Sequence, residues 1–414
     1  MAEWIATNLE ECTDVLGDGL HGTPKYTENG EYAFVNGNNL VDGEILIKKE
    51  TKRVDYSQYE KYKKPLTDRT ILVSINGTLG NVGVYNSEKI ILGKSACFFN
   101  VKESVDKDFI YYIVSSPAFK QYLESNATGT TIKNISLKQM RKYAFSLPQI
   151  SEQKRISSVL RGIDEKIKNN RAINNNLEQQ AVLLFKKWFN EFNNTSRSML
   201  ETRFGLIPDS FKLLKNGELP LVVTDYVANG SFASLKANVT LCQEPNYAYF
   251  IRNTDLKSGT FEVFVDEHSY NFLSKSTLFG GEIIISNVGD VGSVFLCPKL
   301  DKPMTLGNNI IMLRPEQENL RYYLYIWFKW LYGQSLIQGI KGGSAQPKFN
   351  KTDFKNLPIF LPPDDLLEQF HQIVKPMFEL IDENNTENQA LTITRDTLLP
   401  NLMSGELDVS NIEI

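Results

Sequence analysis

One face of a long predicted helix carries apolar and amide side chains at alternating intervals of four and three residues. The positions are Ile156, Leu160, Ile163, Ile167, Asn170, Asn174, Leu177, Ala181, Leu184 and Trp188. An average spacing of about 3.5 residues is the coiled-coil period, so these side chains form one stripe along a helix roughly 50 Å long. Two asparagines lie at the middle of this stripe, where a helix contact is normally apolar.

A second stripe lies 214 residues further along the chain. Its positions are Phe370, Val374, Met377, Ile381, Asn384, Asn388, Leu391, Arg395, Leu398 and Leu402. If the two helices pack antiparallel about their centres, asparagines meet asparagines. A slip of one heptad would bury amides without partners, at about 1–3 kcal/mol each. We predict that Asn170, Asn174, Asn384 and Asn388 fix the helix register, although parallel packing would also pair them.

Prolines and one arginine interrupt the second stripe. Proline inside a helix removes a hydrogen bond and clashes with the preceding turn, so we expect regular helix only between about Pro376 and Leu399, with Pro400 ending or bending it. Arg395 lies within the stripe, and Glu178 is a candidate acidic neighbour.

The segments that precede the two helices are also related in sequence. FVNGNNL at 34–40 aligns with FIRNTDL at 250–256, and VSINGTLGNV at 73–82 aligns with ISNVGDVGSV at 285–294. Each copy contains short β-like runs such as TILVSI, turns with asparagine and glycine, and aromatic-rich helical stretches. The aromatic run at 322–330 is apolar on nearly all sides, which is typical of a core helix.

We therefore predict an α+β fold with an internal repeat, in which two similar globular domains alternate along the chain with two long helices. The predicted boundaries are 1–150 for the first domain, 151–192 for the first helix, 193–363 for the second domain, 364–404 for the second helix and 405–414 for a C-terminal tail.

Charge becomes informative only when it is followed along the chain. The net charge of −4 divides into +5 for residues 1–363 and −9 for residues 364–414, so the domains could accept a phosphate backbone. No run of about 18 apolar residues and no signal-peptide pattern is present, and the four cysteines are scattered. These features favour a cytoplasmic protein with reduced thiols and no association with membranes.

The ends of the two helices resemble those of a known family. LEQQAVLLFKKWF at 177–189 and LLPNLMSGEL at 398–407, with the order domain, helix, domain, helix, resemble the specificity subunit of type I restriction–modification enzymes. The resemblance extends over nearly the whole chain, and the helix ends are its most specific part.

The resemblance implies that each domain is a target recognition domain that reads one half of a bipartite, asymmetric sequence in double-stranded DNA. It implies antiparallel helices that set the unread spacer and bind two modification subunits, which use S-adenosylmethionine to methylate adenine. Restriction subunits that use ATP and Mg would join the complex, whereas this chain would bind no cofactor and catalyse no reaction. The side chains expected to bind partner subunits are Leu183, Phe185, Phe189, Leu399 and Met403.

Candidate DNA contacts are loop residues whose side chains can bind base edges or phosphates. In the first domain they are Lys25, Asn36, Asn38, Asn39, Asn76, Thr78, Lys94, Thr130, Thr131 and Lys133. In the second domain they are Arg252, Asn253, Asn287, Asn308, Asn309, Lys341, Ser344, Gln346 and Lys348. Asparagine in a turn also serves backbone conformation, so a structural role is the alternative for each.

Two other functional classes are alternatives to DNA recognition. A structural adaptor, whose domains bind proteins, is compatible with the stripes. A self-sufficient methyltransferase or nuclease is disfavoured, because no Asn-Pro-Pro-Phe type motif occurs and the three histidines are unlinked. Gly93-Lys94-Ser95 resembles the end of a P-loop, but Glu88 stands where that motif requires glycine, and its carboxylate would repel phosphate.

Overall fold

The computed structural model describes residues 4–129, 132–189, 198–202, 205–343 and 345–409. The chain forms two compact units, residues 1–169 with 387–414 and residues 170–386. Each unit therefore contains one globular domain and one half of each long helix.

The first unit is built from short strands and short helices, which precede the first long helix. The strands are β1 Ile5–Asn8, β2 Thr13–Asp18, β3 Tyr32–Val35, β4 Leu40–Val41, β5 Glu44–Ile45, β6 Arg53–Val54, β7 Thr70–Ser74, β8 Val82–Val84, β9 Ile90–Leu92, β10 Ala96–Val101 and β11 Ala144–Leu147. The helices are α1 Tyr56–Tyr62, α2 Lys107–Ser115, α3 Pro117–Asn126, α4 Leu137–Arg141 and the long α5 Ile150–Phe189.

The central sheet of the first unit has the strand order β2-β10-β7-β8, and it is covered on both faces. Ile71 and Val73 of β7 belong to the core on one face, and Leu72 between them belongs to the core on the other. Successive side chains of a strand point to opposite faces, so burial of both faces requires the uninterrupted apolar run Ile71-Leu72-Val73. The sequence pattern of this strand thus follows directly from its central position.

The globular domain of the second unit begins with two paired strands and repeats the plan of the first. Its strands are β12 Met199–Thr202, β13 Gly205–Pro208, β14 Lys212–Lys215, β15 Leu221–Asp225, β16 Leu241–Cys242, β17 Ala248–Ile251, β18 Phe264–Val265, β19 Thr277–Leu278, β20 Ile283–Ser286, β21 Val294–Leu296, β22 Met304–Leu306, β23 Ile310–Pro315 and β24 Pro358–Leu361. Its helices are α6 Phe232–Asn238, α7 Asn253–Ser258, α8 Glu267–Phe272, α9 Asn319–Lys329, α10 Leu331–Gly339, α11 Lys351–Lys355 and the long α12 Asp364–Ser404.

Strand pairing confirms the internal repeat. The order β15-β23-β20-β21 in the second unit corresponds to β2-β10-β7-β8 in the first. The parallel pair β17–β22 corresponds to the parallel pair β3–β9, and β14–β24 corresponds to β1–β11. The aromatic helix α9 is buried along most of its length, as its all-round apolar sequence predicts. Together these matches confirm the predicted α+β fold.

The long helices α5 and α12 pack antiparallel within each unit. In the second unit Phe185 contacts Phe370 with ring centroids 6.1 Å apart, while Asn174, earlier on α5, meets Asn384, later on α12. In the first unit Ile156 and Leu160 share a core with Leu399 and Leu402, at the end of α12. All twenty stripe positions are buried or half-buried, so the 3.5-residue period identified the contact face correctly.

The prolines do not limit the second helix, so that prediction was wrong. α12 runs continuously through Pro376 and Pro400. Both prolines lie on exposed positions, as do Gln372 and Asp396 four residues earlier. The carbonyl groups that lose their intrahelical partner can therefore bind water, which lowers the cost of proline inside a helix.

The partner predicted for Arg395 was also wrong. Its guanidinium donates to Asp164 at 2.8 Å and to Asp396 at 2.8 Å. Asp164 in turn accepts a hydrogen bond of 2.8 Å from the hydroxyl of Tyr112. Glu178 instead pairs with Lys329 at 2.5 Å. Arg395 thus remains charged within the stripe because two carboxylates lie beside it.

Candidate nucleic-acid interface

In both domains a tight turn joins a central strand of the sheet to the neighbouring edge strand, and most of the candidate loops lie against it. We call residues 74–81, between β7 and β8, the first-domain turn, and residues 286–293, between β20 and β21, the second-domain turn. Gly77 has φ +78° and Gly289 has φ +77°, a left-handed conformation that favours glycine. A Cβ atom at either position would meet no atom within 4 Å, so both turns face open space.

Matching backbone hydrogen bonds hold these turns in place. The amide of Gly77 donates to the Lys133 carbonyl at 2.9 Å, and the amide of Gly289 donates to the Pro347 carbonyl at 2.8 Å. A second contact is also repeated. The backbone amide of Ile75 donates to the Ser95 carbonyl at 2.9 Å, and that of Asn287 donates to the Asn309 carbonyl at 3.1 Å. The chain therefore presents the same backbone scaffold twice, with different side chains on it.

Side-chain hydrogen bonds hold two candidates of the first domain, Asn76 and Asn36, each to a residue of a neighbouring loop. The amide of Asn76 donates to Asn134 at 3.3 Å, and the Ser95 hydroxyl donates to Asn36 at 3.0 Å. Other candidates project from the same loops without being buried; they are Asn38, Thr78, Lys94 and Lys133. Amide groups with flanking lysines are suited to base edges and phosphates, respectively.

Two first-domain candidates lie elsewhere. Asn39 is only 6% exposed, and its side chain accepts the Asn36 amide and donates to the Leu46 carbonyl, so it stabilises the loop and the expectation of a DNA contact was wrong. Asp255 occupies the corresponding position of the second domain and accepts the Arg252 amide in the same way. Lys25 is exposed beside α1, where its backbone amide donates to Gln58.

The second-domain turn carries a carboxylate at the position where the first-domain turn carries Thr78. Asp290 accepts hydrogen bonds on its Oδ2 atom from Lys257 at 2.5 Å, Ser293 at 2.5 Å and Asn253 at 3.3 Å. The ammonium of Lys257, followed by the Ser293 hydroxyl, lowers the pKa of Asp290 below its ordinary value. The turn thus carries a fixed negative charge with a cation directly beside it.

The remaining candidates of the second domain surround this turn. Arg252 pairs with Asp255 at 2.6 Å, which raises the pKa of the guanidinium and leaves it less available to phosphate. Asn287 donates to the Phe349 carbonyl at 3.3 Å. Five candidates are exposed on the neighbouring loops, namely Asn308, Asn309, Lys341, Gln346 and Lys348.

Three candidates, Thr130, Thr131 and Ser344, lie outside the described residues. Sequence reasoning missed Lys257 and Asp290, which complete the polar cluster of the second domain. Asp290 could have been found from the repeat, because it aligns with the candidate Thr78. Lys257 lies on the short helix α7, which only the fold brings beside the turn.

The asparagines of the long helices occupy the positions that the register hypothesis requires. Asn384 is 8% exposed and donates to the Asn174 side chain at 2.8 Å. Asn174 donates to Asn385 at 3.0 Å. Asn170 is buried and Asn388 is half-buried. These positions face the helix pair, and the role of the four asparagines in setting the register stays a prediction.

Most side chains expected to bind partner subunits belong to the domain cores. Phe185, Phe189 and Leu399 are at most 5% exposed, and Met403 is partly buried. The expectations for Phe185, Phe189 and Leu399 were wrong, because the domains themselves cover these side chains, and the contact of Met403 stays a prediction. Leu183 is 61% exposed and therefore accessible to a partner, and its contact stays a prediction.

Leu183 lies at a groove of about 290 Å³ in the second unit. Val182 and Trp330 supply further apolar lining, and the Lys186 ammonium lies 5.1 Å from the Trp330 ring centroid. Lys329 pairs with Glu178 at the same groove. An apolar floor with lysines at its edge can accept an apolar side chain next to an acidic group.

Two kinds of structural feature are absent from the part of the chain that is described. Within these ranges, no three His, Cys, Asp or Glu side chains are grouped to hold a metal ion. Of the helices among the same residues, none has the length and apolarity needed to span a bilayer.

Comparison with known proteins identifies the family. The family described as Type I restriction modification DNA specificity domain matches residues 7–179 and 225–394, and the chain belongs to this family. Each match covers most of one domain and much of the helix that follows it, which agrees with the internal repeat. The resemblance found in the helix ends is thereby confirmed.

Individual relatives extend over most of the chain. The type I restriction enzyme MjaIX specificity subunit of Methanocaldococcus jannaschii is 23% identical, with 99% of this chain and 95% of that protein covered. The HindI specificity subunit of Haemophilus influenzae is 22% identical over 72% of this chain and 77% of its own length. The crystal structure of a type I restriction–modification S subunit from M. genitalium has the same fold, with a TM-score of 0.57, 20% identity and coverage of 97% and 96%.

Proposed function

We propose that this chain is the DNA-recognition subunit of a type I restriction–modification complex and that it catalyses no reaction itself. The observation that carries the proposal is the duplicated scaffold, in which each domain presents an exposed turn surrounded by amide and lysine side chains. The family match covers both copies. A protein that carries two related but unequal reading surfaces is suited to a target with two unequal halves.

Each domain would read one half of a bipartite target in double-stranded DNA. Lysines such as Lys94 and Lys348 would contact phosphates, which gives affinity without sequence preference. Amide side chains such as Asn76 would contact base edges in the major groove. Linking two such domains in one chain raises the effective concentration of the second once the first has bound.

The helices α5 and α12 would set the unread spacer and bind two modification subunits. Exposed apolar side chains on these helices support such docking, among them Ile173, Leu183, Ile373, Leu380 and Ile393. The groove beside Leu183 has lysines at its edge, so an acidic, partly apolar segment of the modification subunit would fit it. The partner subunits would supply S-adenosylmethionine chemistry and, with restriction subunits, ATP and Mg, in the cytoplasm.

Methylome sequencing of a host that expresses the chain with its modification subunits tests this proposal. We expect N6-methyladenine within a motif of two short defined halves separated by a fixed gap. A host with the modification subunits alone is the control, and it should lack this motif. A continuous palindromic motif, or methylation that does not depend on the chain, would contradict the proposal.

A domain exchange tests whether the two halves are read independently. Replacing residues 1–150 with the corresponding segment of another family member should change one half of the methylated motif and keep the other half. A change in both halves would mean that the domains do not read separately.

A further inference from the structure

The unusual feature of the second domain is a carboxylate at the tip of its turn, among side chains that otherwise suit a polyanion. Asp290 is the tip residue, and its side chain is 46% exposed. Exposed lysines and amides lie on the adjoining loop, namely Lys341, Gln346 and Lys348. A carboxylate repels phosphates, so a contact with the DNA backbone does not explain its position.

The hydrogen bonds of Asp290 use one of its two carboxylate oxygens. Lys257, Ser293 and Asn253 all donate to Oδ2. No donor in the described part of the chain forms a hydrogen bond with Oδ1. The carboxylate is therefore oriented by three donors and retains one acceptor atom for a ligand.

The surroundings leave room for that ligand. A Cβ atom on the adjacent Gly289 would meet no other atom within 4 Å, so the turn projects into open space. The Lys257 ammonium compensates the negative charge, which reduces the electrostatic cost of bringing a carboxylate near DNA. The ligand must then offer a neutral hydrogen-bond donor. In the major groove such donors are the exocyclic amino groups of cytosine and adenine.

We propose that Asp290 is a specificity-determining residue of the second domain, whose Oδ1 accepts a hydrogen bond from an exocyclic amino group in the major groove, cytosine N4 being the first expectation. This inference rests on the proposed DNA-reading function. Lys257 and Asn253 are positioning residues that hold the carboxylate. Thr78, at the corresponding tip of the first domain, offers a hydroxyl instead, so the two tips select different base pairs.

The test uses the chain assembled with its modification subunits and the motif found by methylome sequencing. Binding is measured by competition on duplexes that differ from the target at one base pair of the second half-site. For Asp290→Asn we expect discrimination at one C·G or A·T position to fall about tenfold, since one good base contact gives roughly this selectivity. Loss of discrimination at a C·G pair identifies cytosine N4 as the donor to Asp290, and loss at an A·T pair identifies adenine N6 as the donor.

Two further variants keep the test decisive. Asp290→Thr places the side chain of the first-domain tip on the second domain. It should likewise lower the discrimination between base pairs at one position of the second half-site. Glu244→Gln removes a negative charge from an exposed site of the same domain and should leave base preference unchanged. Binding to unrelated DNA should not weaken in the Asp290 variants, because a negative charge has been removed.

Two results would overturn the inference. Unchanged base preference in both Asp290 variants would mean that the carboxylate contacts no base. Equal weakening on every duplex, with a lower melting temperature, would mean that Asp290 only anchors the turn. With either result, a bipartite motif methylated by the wild-type complex would mean that the proposed function stands and that only the inference about Asp290 fails. Without a bipartite motif in the wild type, the proposed function itself fails.

Discussion

The hydrogen-bonded pair Asn174–Asn384 gives the sharpest test of how the long helices are matched. Replacing Asn174 with leucine removes the acceptor of the Asn384 amide, and replacing Asn384 with leucine removes the donor to the Asn174 oxygen. Replacing both removes the need for a partner and places two apolar side chains against each other. We therefore expect each single variant to be less stable than the double variant, which is the opposite of additive behaviour.

The magnitude follows from burial. Asn384 is 8% exposed and donates to Asn174 at 2.8 Å, so Asn174→Leu should cost about 2 kcal/mol, the usual penalty for a buried unpaired amide. Asn174 is only half-buried, and water can partly replace its partner, so Asn384→Leu should cost about 1 kcal/mol. The double variant should lie within about 0.5 kcal/mol of the wild type, because matched apolar replacement of a polar pair is nearly neutral. The resulting coupling is about 3 kcal/mol.

Native-state hydrogen exchange of peptides from α5 and α12 measures the change in local stability of the two helices. Urea denaturation gives the change in the free energy of global unfolding. Asn176→Leu is the matched control, because Asn176 lies on the exposed face of α5 and its side chain accepts a hydrogen bond from Gln180 of the same helix. It should change the free energy of unfolding by less than about 0.5 kcal/mol.

An additive double variant, as unstable as the two single variants together, would refute the reasoning, because it would mean that the amides do not act as a pair. The methylome gives a second readout. Leucine at Asn170, Asn174, Asn384 and Asn388 should keep the bases of each half-site and broaden the gap between them. A lost half-site with an unchanged gap would show that these amides do not set the register.

Three further predictions concern charged groups. Asp164→Asn should destabilise the first unit by about 2 kcal/mol, because Arg395 then keeps only the exposed Asp396 as a carboxylate partner, and adding Arg395→Met should restore most of the loss in thermal unfolding. Glu282→Gln should cost about 3 kcal/mol in urea denaturation, because the 3% exposed Glu282 carboxylate is the partner of Arg314; a loss below about 1 kcal/mol would show that the charge itself is unimportant. The lowered pKa of Asp290 means that its carboxylate stabilises the fold above its unfolded-state pKa of about 4 and that this contribution is lost as pH falls through the lower folded-state pKa. Between about pH 5 and about pH 2, Asp290→Asn should therefore lose less stability than the wild type, and equal losses would contradict this assignment.

Regular periodicity was sufficient to predict the helices and the repeat. The spacing of apolar and amide positions identified the contact faces of α5 and α12, because a helix presents every third or fourth residue to its neighbour. The chain does not reveal by itself whether a proline in such a pattern faces solvent. The prediction that regular helix begins only at Pro376 was wrong for this reason. Pro376 is exposed, so water can bind the carbonyl group that the proline leaves without a partner.

Burial of the helix ends was equally inaccessible to sequence reasoning. Phe185 and Leu183 are both apolar and lie two residues apart, yet the first is in the core and the second is 61% exposed. A periodic stripe locates the helix–helix contact, whereas the surface covered by the globular domain depends on contacts between residues far apart in sequence. Three of the five side chains predicted to contact a partner are therefore buried in the domain cores.

The duplicated architecture, the α+β class and the polar centre of the helix stripes were all readable in the amino-acid sequence, because each depends on local spacing or on comparison of the chain with itself. Which polar side chains serve the fold and which face outward became clear only from the folded chain. Asn39 and Asn38 are adjacent and chemically identical, but Asn39 is buried and donates to the Leu46 carbonyl, whereas Asn38 is exposed. Burial and hydrogen-bond partners arise when distant segments pack together, and they distinguish the Asp290 cluster from a turn that merely contains polar residues.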